Sequence, residues 1–284
     1  MAECFRPDYA DVQSLKSLYS ACFNESTSAT DIMFKAVLNI KYAYAARFNG
    51  EIIAALYLLP CEIALDSATA QAHYLMGAST KKEYRGLGVM TQLIRFAVAQ
   101  SEKQGDCYSV LEPASEELYS FYSRLGYREA YHSTVFDYDI QQNRKKHFNT
   151  CRLTKNSFDI WSGLRFNICK SIRGSVLWDE SHLKACAEVN ACYGGGVLGC
   201  EYGYAYYSSD AYGVFVNELV CKQELAESLL CSLGDELGVS RLSVRCPSGI
   251  LNGRSVKMGM VLPLNDNKFP LDFEYNAYLG LSFD

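Results

Sequence analysis

The stretch MGASTKKEYRGLGVM, residues 76–90, decides the fold, because it contains the end of a strand, a glycine-bearing turn and the start of a helix. The residues before it, 74–76, are apolar and β-prone. After it, apolar side chains recur with the helical spacing of three or four residues from Met90 to Val98. Gly86 and Gly88 can adopt positive φ and let a ligand approach the main chain closely. The stretch therefore predicts a strand, a ligand-accessible loop and a helix.

The predicted helix start has the properties of an anion site. Its first amide groups have no intrahelical partner and carry about half a positive charge, so the turn from Arg85 to Met90 suits a diphosphate. Arg85 adds a cation beside it. A plain tight turn is the alternative interpretation of two glycines. Neither the Walker loop nor the three-glycine dinucleotide motif fits, because only two glycines occur here and no Gly-Lys pair follows.

The run Glu83-Tyr84-Arg85-Gly86-Leu87-Gly88 resembles the coenzyme A loop of the GCN5-related N-acetyltransferases (GNAT), Gln/Arg-x-x-Gly-x-Gly/Ala. Residues 77–90 are most similar to the enhanced-intracellular-survival (Eis-like) branch of that family, without its sterol-carrier-like domain. Glu83 and Lys82 depart from the family pattern, but the family binds the coenzyme mainly through main-chain amides there. The resemblance implies acetyl-CoA as co-substrate and coenzyme-binding residues at Ala78, Ser79, Thr80, Arg85, Gly86, Leu87, Gly88, Val89, Met90 and Ser115.

Acetyl transfer from a thioester to an amine needs an aligned carbonyl, a proton acceptor for the ammonium and a proton donor for the departing thiolate. The resemblance implies that the acetyl-pantetheine arm pairs with the strand before the loop, where amides near 78–80 polarise the carbonyl. Residues 118–127 resemble the family's second signature, and Tyr122 matches the tyrosine that protonates the coenzyme sulfur in many members. A phenol with a pKa near ~10 is protonated at neutral pH, as this role requires. Packing is the alternative, since the chain has 21 tyrosines.

Two further site residues have open roles. Ser115 lies where many family members carry a coenzyme-contacting Asn, and a helix N-cap is its alternative role. Glu112, at the end of a predicted strand, is our candidate general base. Glu62, Asp66 and His73 could also face the acceptor, and a water relay could replace all four.

The order of predicted elements agrees with the resemblance. The patterns predict helices over 8–23 and 31–38, then a hairpin around Asn49-Gly50 whose second strand is interrupted at Pro60. After the loop and helix come a strand over 107–111, a helix over 115–124 and a strand over 134–140. An antiparallel hairpin followed by one strand-loop-helix crossover is what a GNAT domain has, so the resemblance covers roughly residues 5–140.

The second half repeats the first in outline. It predicts a hairpin over 203–220, a helix over 224–237 and a strand over 242–244, and residues 241–247 echo residues 107–113. Between strand and helix it has LVCKQE, residues 219–224, with no glycine and a carboxylate at the anion-binding end. We predict an α/β (α+β) protein with tandem GNAT-like domains and mixed, mostly antiparallel sheets flanked by helices. Its parts are a coenzyme-binding domain (1–140), a charged linker (141–149) and a degenerate copy without the coenzyme loop (150–284).

The composition restricts the classes of partner that we expect for this protein. The 284 residues are 49% hydrophobic, enough for two domains, and the net charge of -5 argues against a general nucleic-acid or membrane-surface binder. No signal peptide or apolar span of about 18 residues occurs, so we expect a cytoplasmic protein. The twelve cysteines form no C-x-x-C pair and the four histidines lack ligand spacing, so we expect buried free thiols, such as Cys61, Cys107, Cys221 and Cys246, and no metal site.

The resemblance to the GNAT family, together with these features, implies an acetyl-CoA-dependent N-acetyltransferase. The expected reaction is direct attack on the thioester, in a ternary complex, by the primary amine of a small cationic acceptor. A non-catalytic acyl-CoA sensor is the alternative from another class of protein. Aminoacyl-tRNA-dependent transfer is a third interpretation, which the acidic charge and the intact coenzyme loop disfavour.

Overall fold

One mixed sheet of twelve strands organises the computed structural model, which describes residues 2–143, 158–192, 194–264 and 277–282. Along the sheet the strand order is β1-β2-β3-β4-β5-β12-β6-β11-β10-β9-β8, and β7 pairs with β3. The strands are β1 Glu3–Phe5, β2 Ala43–Phe48, β3 Glu51–Ala64, β4 Thr69–Thr80, β5 Tyr108–Leu111, β6 Arg128–Asp139, β7 Val176–Leu177, β8 Gly196–Cys200, β9 Gly203–Asp210, β10 Gly213–Cys221, β11 Arg241–Cys246 and β12 Arg254–Pro263.

Eight α-helices flank this sheet within the described residues. One core lies beneath α1, α2, α6 and α7, a second beneath α3 and α4 on the opposite face, and a third beneath α8. No helix in the described part of the chain is long and apolar enough to cross a membrane. The helices are α1 Val12–Phe23, α2 Thr27–Ala36, α3 Val89–Gln104, α4 Glu116–Ser123, α5 Ile140–Asn143, α6 Phe158–Lys170, α7 Glu180–Cys192 and α8 Ala226–Leu237.

The strand pairs β4–β5 and β10–β11 are parallel, whereas the other pairs of named strands are antiparallel. Parallel neighbours need a crossover, and helices α3 and α8 supply it. The second half thus repeats the strand-helix-strand unit of the first, as the sequence predicts. The predicted fold class of mixed sheet and flanking helices is confirmed.

Strand β12 was not predicted. It lies between β5 and β6, so a strand from the second half completes the sheet of the first half. Its pairing with β6 shifts register around Gly259, where an added Cβ would lie 2.8 Å from the carbonyl oxygen of Leu111. At the predicted linker, residues 140–143 form α5, and residues 144–149 lie outside the described part of the chain.

The predicted interruption at Pro60 is wrong, because β3 is continuous from Glu51 to Ala64. On one side of β3, pairing with β2 ends at Tyr57 and pairing with β7 begins at Glu62. Pro60 lies between these two stretches, so its described partner strand is β4, on the other side of β3. A proline is tolerated in such a one-sided position. The hairpin before it is confirmed, and Asn49 and Gly50 both have positive φ, as its turn requires.

Two strand boundaries also differ from the prediction, and one further strand was missed. Strand β4 begins at Thr69 rather than within the apolar run at 74–76, and β6 begins at Arg128 rather than at 134. The short edge strand β1 was not predicted. The described cysteines are free thiols; Cys61, Cys221 and Cys246 are buried, and Cys107 is half-buried.

Candidate functional site

Strands β4 and β5 separate in the middle of the first half. Residues 72–74 of β4 pair with residues 108–110 of β5, and β4 then continues to Thr80 without a described partner on that side. The exposed edge of a strand offers main-chain donors and acceptors to an extended ligand. The split therefore provides the place where the sequence predicts an extended arm to pair.

A β-bulge shapes this edge. Tyr57 pairs with Met76 and Ala55 pairs with Ser79, so Gly77 and Ala78 are out of register with β3. Gly77 has φ +62°, and an added Cβ would lie 3.1 Å from the Tyr57 ring. A bulge releases main-chain groups from the ladder and redirects the strand. The bulge thus places strand residues 78–80 beside the loop that follows.

The loop and helix start have the predicted geometry. Gly86 has φ +75°, and Gly88, the N-cap of α3, has φ +79° without a side-chain cap. An added Cβ at either glycine would meet nothing within 4 Å. The amide of Gln92 makes the first bond of the helix, to the carbonyl of Gly88 at 3.0 Å. The amides of residues 89–91 therefore have no partner within the helix and are available to an anion.

A cavity of about 720 Å³, which we call the basic cavity, opens between this loop, the β4 edge and α4. Three arginines line it, Arg85, Arg95 and Arg124, and none of its described lining residues is a carboxylate. None of the three forms an ion pair with a described carboxylate; the Arg85 Nε donates to the carbonyl of Thr80 at 3.0 Å. The charge of the cavity is complementary to a polyanion.

Most of the predicted coenzyme-binding residues meet at this cavity. Leu87, which is 70% exposed, and Ser115 do not line it. Sequence reasoning missed Arg95 and Arg124, although Arg95 lies two helical turns after Gly88 and Arg124 lies two residues after Tyr122. The predicted residues among its lining are Ala78, Ser79, Thr80, Arg85, Gly86, Gly88, Val89, Met90 and Tyr122.

Tyr122 lies on α4 with its ring largely buried, and it lines the basic cavity. Its ring centroid is 5.1 Å from that of Phe121 and 5.7 Å from that of Tyr127, both in edge-on contacts. Burial raises the pKa of Tyr127, whose hydroxyl lies 2.6 Å from that of Ser109. These contacts fix the ring of Tyr122 at the cavity wall.

His73 is buried rather than directed at the basic cavity. Its Nε2 lies 2.7 Å from the Ser109 hydroxyl and its Nδ1 lies 2.8 Å from the Asp106 carboxylate. Together with the Ser109–Tyr127 contact, this makes a continuous chain of hydrogen bonds from Asp106 to Tyr127. Both ring nitrogens of His73 are engaged within the fold.

The other candidate bases, Glu112, Glu62 and Asp66, do not line the basic cavity. Glu112 follows β5, is half-buried and accepts a hydrogen bond from the Ser282 hydroxyl, but it does not line the basic cavity. The Glu62 carboxylate accepts from the Thr69 hydroxyl at 3.1 Å, and Asp66 pairs with Arg173 at 3.5 Å.

Ser115 occupies the N-cap position of α4, although its hydroxyl makes no capping bond to the backbone. Its side chain instead hydrogen-bonds that of Glu117 and thereby lowers the Glu117 pKa. Ser115 therefore lies at the position of a helix N-cap, one of its two predicted roles, but it does not make the capping hydrogen bond.

Comparison with known structures defines the class of fold. A GCN5-related N-acetyltransferase from Kribbella flavida superposes with a TM-score of 0.75 at 17% identity, over 93% of this chain and 72% of that one. One from Anabaena variabilis gives 0.76 at 15% identity over 93% and 73%, and Eis1 from Mycobacterium abscessus gives 0.72 at 12% over 93% and 74%. The protein therefore has a GNAT-like fold that extends through both halves.

The sequence itself carries the family signature in its first half. Residues 6–130 match the family model described as "Acetyltransferase (GNAT) domain". The loop, the β4 edge, Arg95, Arg124 and Tyr122 all lie within these residues. No curated protein matches the chain significantly. Residues 6–130, which include the lining of the basic cavity, are thus similar to a GNAT acetyltransferase domain.

Proposed function

We propose that this protein is an N-acetyltransferase that binds acetyl-CoA in the basic cavity and transfers the acetyl group to a primary amine. One observation carries the proposal. The free β4 edge, the unpartnered helix amides of 89–91 and three arginines line a single cavity together with Tyr122. A polyanion joined to an extended amide-bearing arm is the chemistry that such a surface fits.

The diphosphate of acetyl-CoA would lie at Gly86 and Gly88, where the absence of a Cβ leaves open space above the main chain. Main-chain amides of Val89 and Met90 and the guanidinium of Arg85 would bind it. Residues 78–80 of the β4 edge would hold the pantetheine arm and polarise the thioester carbonyl. Leu87 and Ser115 stay proposed coenzyme contacts. Because neither residue lines the basic cavity, the coenzyme would contact both outside it.

Tyr122 is the proposed general acid, which donates a proton to the departing thiolate. Its position in the cavity wall and its fixed ring support this role. Glu112 is the proposed base, and the Ser282 hydroxyl orients its carboxylate. The proposed reaction is direct attack by the amine in a ternary complex, in which the thioester and the amine are held together at the split of β4 and β5.

The proposal also includes the acceptor class, the branch of the family and the role of the second half. The net charge of -5 supports a small cationic acceptor and argues against nucleic acid or a membrane surface as the partner. A cytoplasmic location stays part of the proposal. The run at 77–90 and the fold similarity to Eis1 support placement near the Eis-like branch. The repeated unit around α8 supports a degenerate second domain at 150–284 that follows a linker at 141–149.

Calorimetric titration with acetyl-CoA and a thiol-release assay with an amine panel test the proposal together. We expect saturable binding and steady thiol release that requires both amine and acetyl-CoA. Binding without release toward any amine would favour the acyl-CoA sensor. No heat and no thermal shift with ~1 mM acetyl-CoA would exclude both functions.

The acceptor class needs a separate comparison. A polyamine, an aminoglycoside and a lysine peptide would be compared with a neutral arylamine at equal concentration, using kcat/KM as the measure. We expect the cationic amines to give the higher values. A higher kcat/KM for the arylamine would contradict the proposed charge preference while leaving acetyl transfer intact.

A further inference from the structure

Four hydrogen-bonded side chains form a continuous chain beside the split of β4 and β5. Asp106 bonds to His73 at 2.8 Å, His73 to Ser109 at 2.7 Å and Ser109 to Tyr127 at 2.6 Å. None of these four residues is in the described lining of the basic cavity. His73, Ser109 and Tyr127 are at most 2% exposed, whereas the Asp106 side chain is 22% exposed. The chain of bonds therefore runs from the protein surface into the core.

Stability alone does not require polar side chains at these buried positions. A buried polar group costs free energy unless it is hydrogen-bonded, and apolar groups of the same shape can replace a bonded pair at little cost. A fully connected network instead fixes one arrangement of its side chains, because each group must meet its partner. The contribution specific to these four side chains is therefore a defined geometry.

The chemistry of the four groups sets the direction of the hydrogen bonds. An ionised carboxylate only accepts, so the Nδ1 of His73 donates to Asp106 and, in the neutral imidazole, Nε2 is an acceptor. The Ser109 hydroxyl then donates to Nε2, and its oxygen accepts from the Tyr127 hydroxyl. The Tyr127 ring consequently cannot be displaced without loss of the bond that its hydroxyl donates to Ser109.

The hydrogen bonds join both strands of the split. His73 and Ser109 lie opposite each other in the parallel ladder of β4 and β5, and the next pair, Tyr74 and Val110, is the last described pair before the strands separate. The His73–Ser109 bond therefore couples the two strands through their side chains as well as their main chains. Through Ser109, the position of Tyr127 is tied to both strands.

Tyr127 in turn contacts Tyr122, the proposed acid. The two rings pack edge-on with centroids 5.7 Å apart, and the Tyr127 amide donates to the Tyr122 carbonyl at 3.2 Å, just after the end of α4. Burial raises the pKa of Tyr127, so its phenol keeps the proton that it donates to Ser109. A displacement of Tyr127 would therefore move the Tyr122 ring relative to the split.

We propose that Tyr127 is a positioning residue for proton transfer by Tyr122, and that Ser109, His73 and Asp106 hold its hydroxyl in place. The inference rests on the proposed function, because Tyr122 acts as an acid only if acetyl transfer takes place. Tyr127 does not line the basic cavity, so it acts by fixing the position from which the Tyr122 hydroxyl meets the departing thiolate. A small misplacement of that hydroxyl lowers the rate of the chemical step without weakening coenzyme binding.

Tyr127→Phe in the full chain tests this role, because it keeps the ring and removes only the hydroxyl. We expect kcat for thiol release to fall about fivefold or more, while the calorimetric Kd of acetyl-CoA changes by less than about twofold. Ser109→Ala interrupts the hydrogen bonds one residue further from Tyr122 and should lower kcat by a similar factor. Tyr206→Phe is the matched control, since the Tyr206 hydroxyl donates to the Cys186 carbonyl at 2.8 Å in the second half. The control should lose similar stability in urea and keep the wild-type kcat.

A double substitution separates positioning from general damage to the fold. In a Tyr122→Phe background there is no acid to position, so the addition of Tyr127→Phe should lower kcat no further, although it still lowers stability. If Tyr127→Phe does not fold, Ser109→Ala in the same two backgrounds decides. An equal loss of kcat in both backgrounds, or wild-type kcat in the single variants, would overturn the inference while acetyl transfer stands. No thiol release by the wild-type protein with any amine would refute the proposed function, and the inference with it.

Discussion

Replacing Gly88 by alanine adds one methyl group to the centre of the proposed coenzyme site. Gly88 has φ +79° and caps α3, and the added Cβ would meet no atom of the described chain within 4 Å. Gly50 offers a matched control, since it also has φ +79° and an equally open surrounding in the β2–β3 turn. The two substitutions therefore impose the same backbone strain, and only Gly88 lines the basic cavity.

The expected magnitudes separate folding from binding. An L-residue with left-handed φ costs about 1–2 kcal/mol, so each variant should lose that much stability and roughly 2–8 °C in Tm. In Gly88→Ala the methyl also occupies the open space through which a phosphate would approach the amides of Val89 and Met90. Loss of one charge-assisted hydrogen bond costs about 1.5–3 kcal/mol, which is about a 10- to 100-fold loss of affinity.

Urea denaturation and calorimetric titration with acetyl-CoA measure the two effects on the same preparations. We expect Gly50→Ala and Gly88→Ala to have similar stability, and Gly50→Ala to bind acetyl-CoA like the wild type. A Gly88→Ala variant that is destabilised but keeps wild-type affinity would refute the assignment of the loop as the diphosphate site. The description of the fold does not depend on that result.

Three other outcomes follow from the buried groups. Tyr122→Phe should lower kcat about 100-fold or more with little change in the Kd of acetyl-CoA, and a loss below threefold would contradict the acid role. Glu218→Gln should destabilise the protein by about 3–5 kcal/mol in urea denaturation, because it leaves the buried Arg165 guanidinium, 3.1 Å from the Glu218 carboxylate, without its counter-ion. Burial lowers the pKa of His182 from 6.5 to about 4, so the unfolded chain binds the proton first and stability falls as the pH drops from 6.5 to 4. The gap of about 2.5 corresponds to roughly 3 kcal/mol, and His182→Phe should remove this acid sensitivity in pH-dependent denaturation.

The loop was predictable from the sequence because its determinants are local. Positive φ at Gly86 and Gly88, the helix after them and the apolar strand before them are each specified by a few adjacent residues. The hairpin at Asn49-Gly50 was predictable for the same reason. Local signals of this kind need no knowledge of the partner strands.

Strand β12 depends instead on partners far away in the chain. Its sequence RSVKMGMVLP lacks regular alternation, and Gly259 is required by the close approach of Leu111 rather than by its own turn. Arg95 and Arg124 reach the basic cavity only because α3 and α4 pack on the same face of the sheet. Side chains that converge through tertiary packing leave no spacing signal in the sequence.

The second half contributes to the candidate site through the segment 277–282. Arg165, Trp178 and His182 bind the carbonyls of residues 279–281, and Ser282 then reaches the Glu112 carboxylate after β5. Strand β12 closes the sheet beside β5 at the same time. The Ser282–Glu112 contact and the β12–β5 pairing both hold β5. Strand β5 forms the side of the split that faces the β4 edge, so residues from the second half support that side. The second half therefore supports the split of β4 and β5 even though its own helix start lacks the glycines of a coenzyme loop.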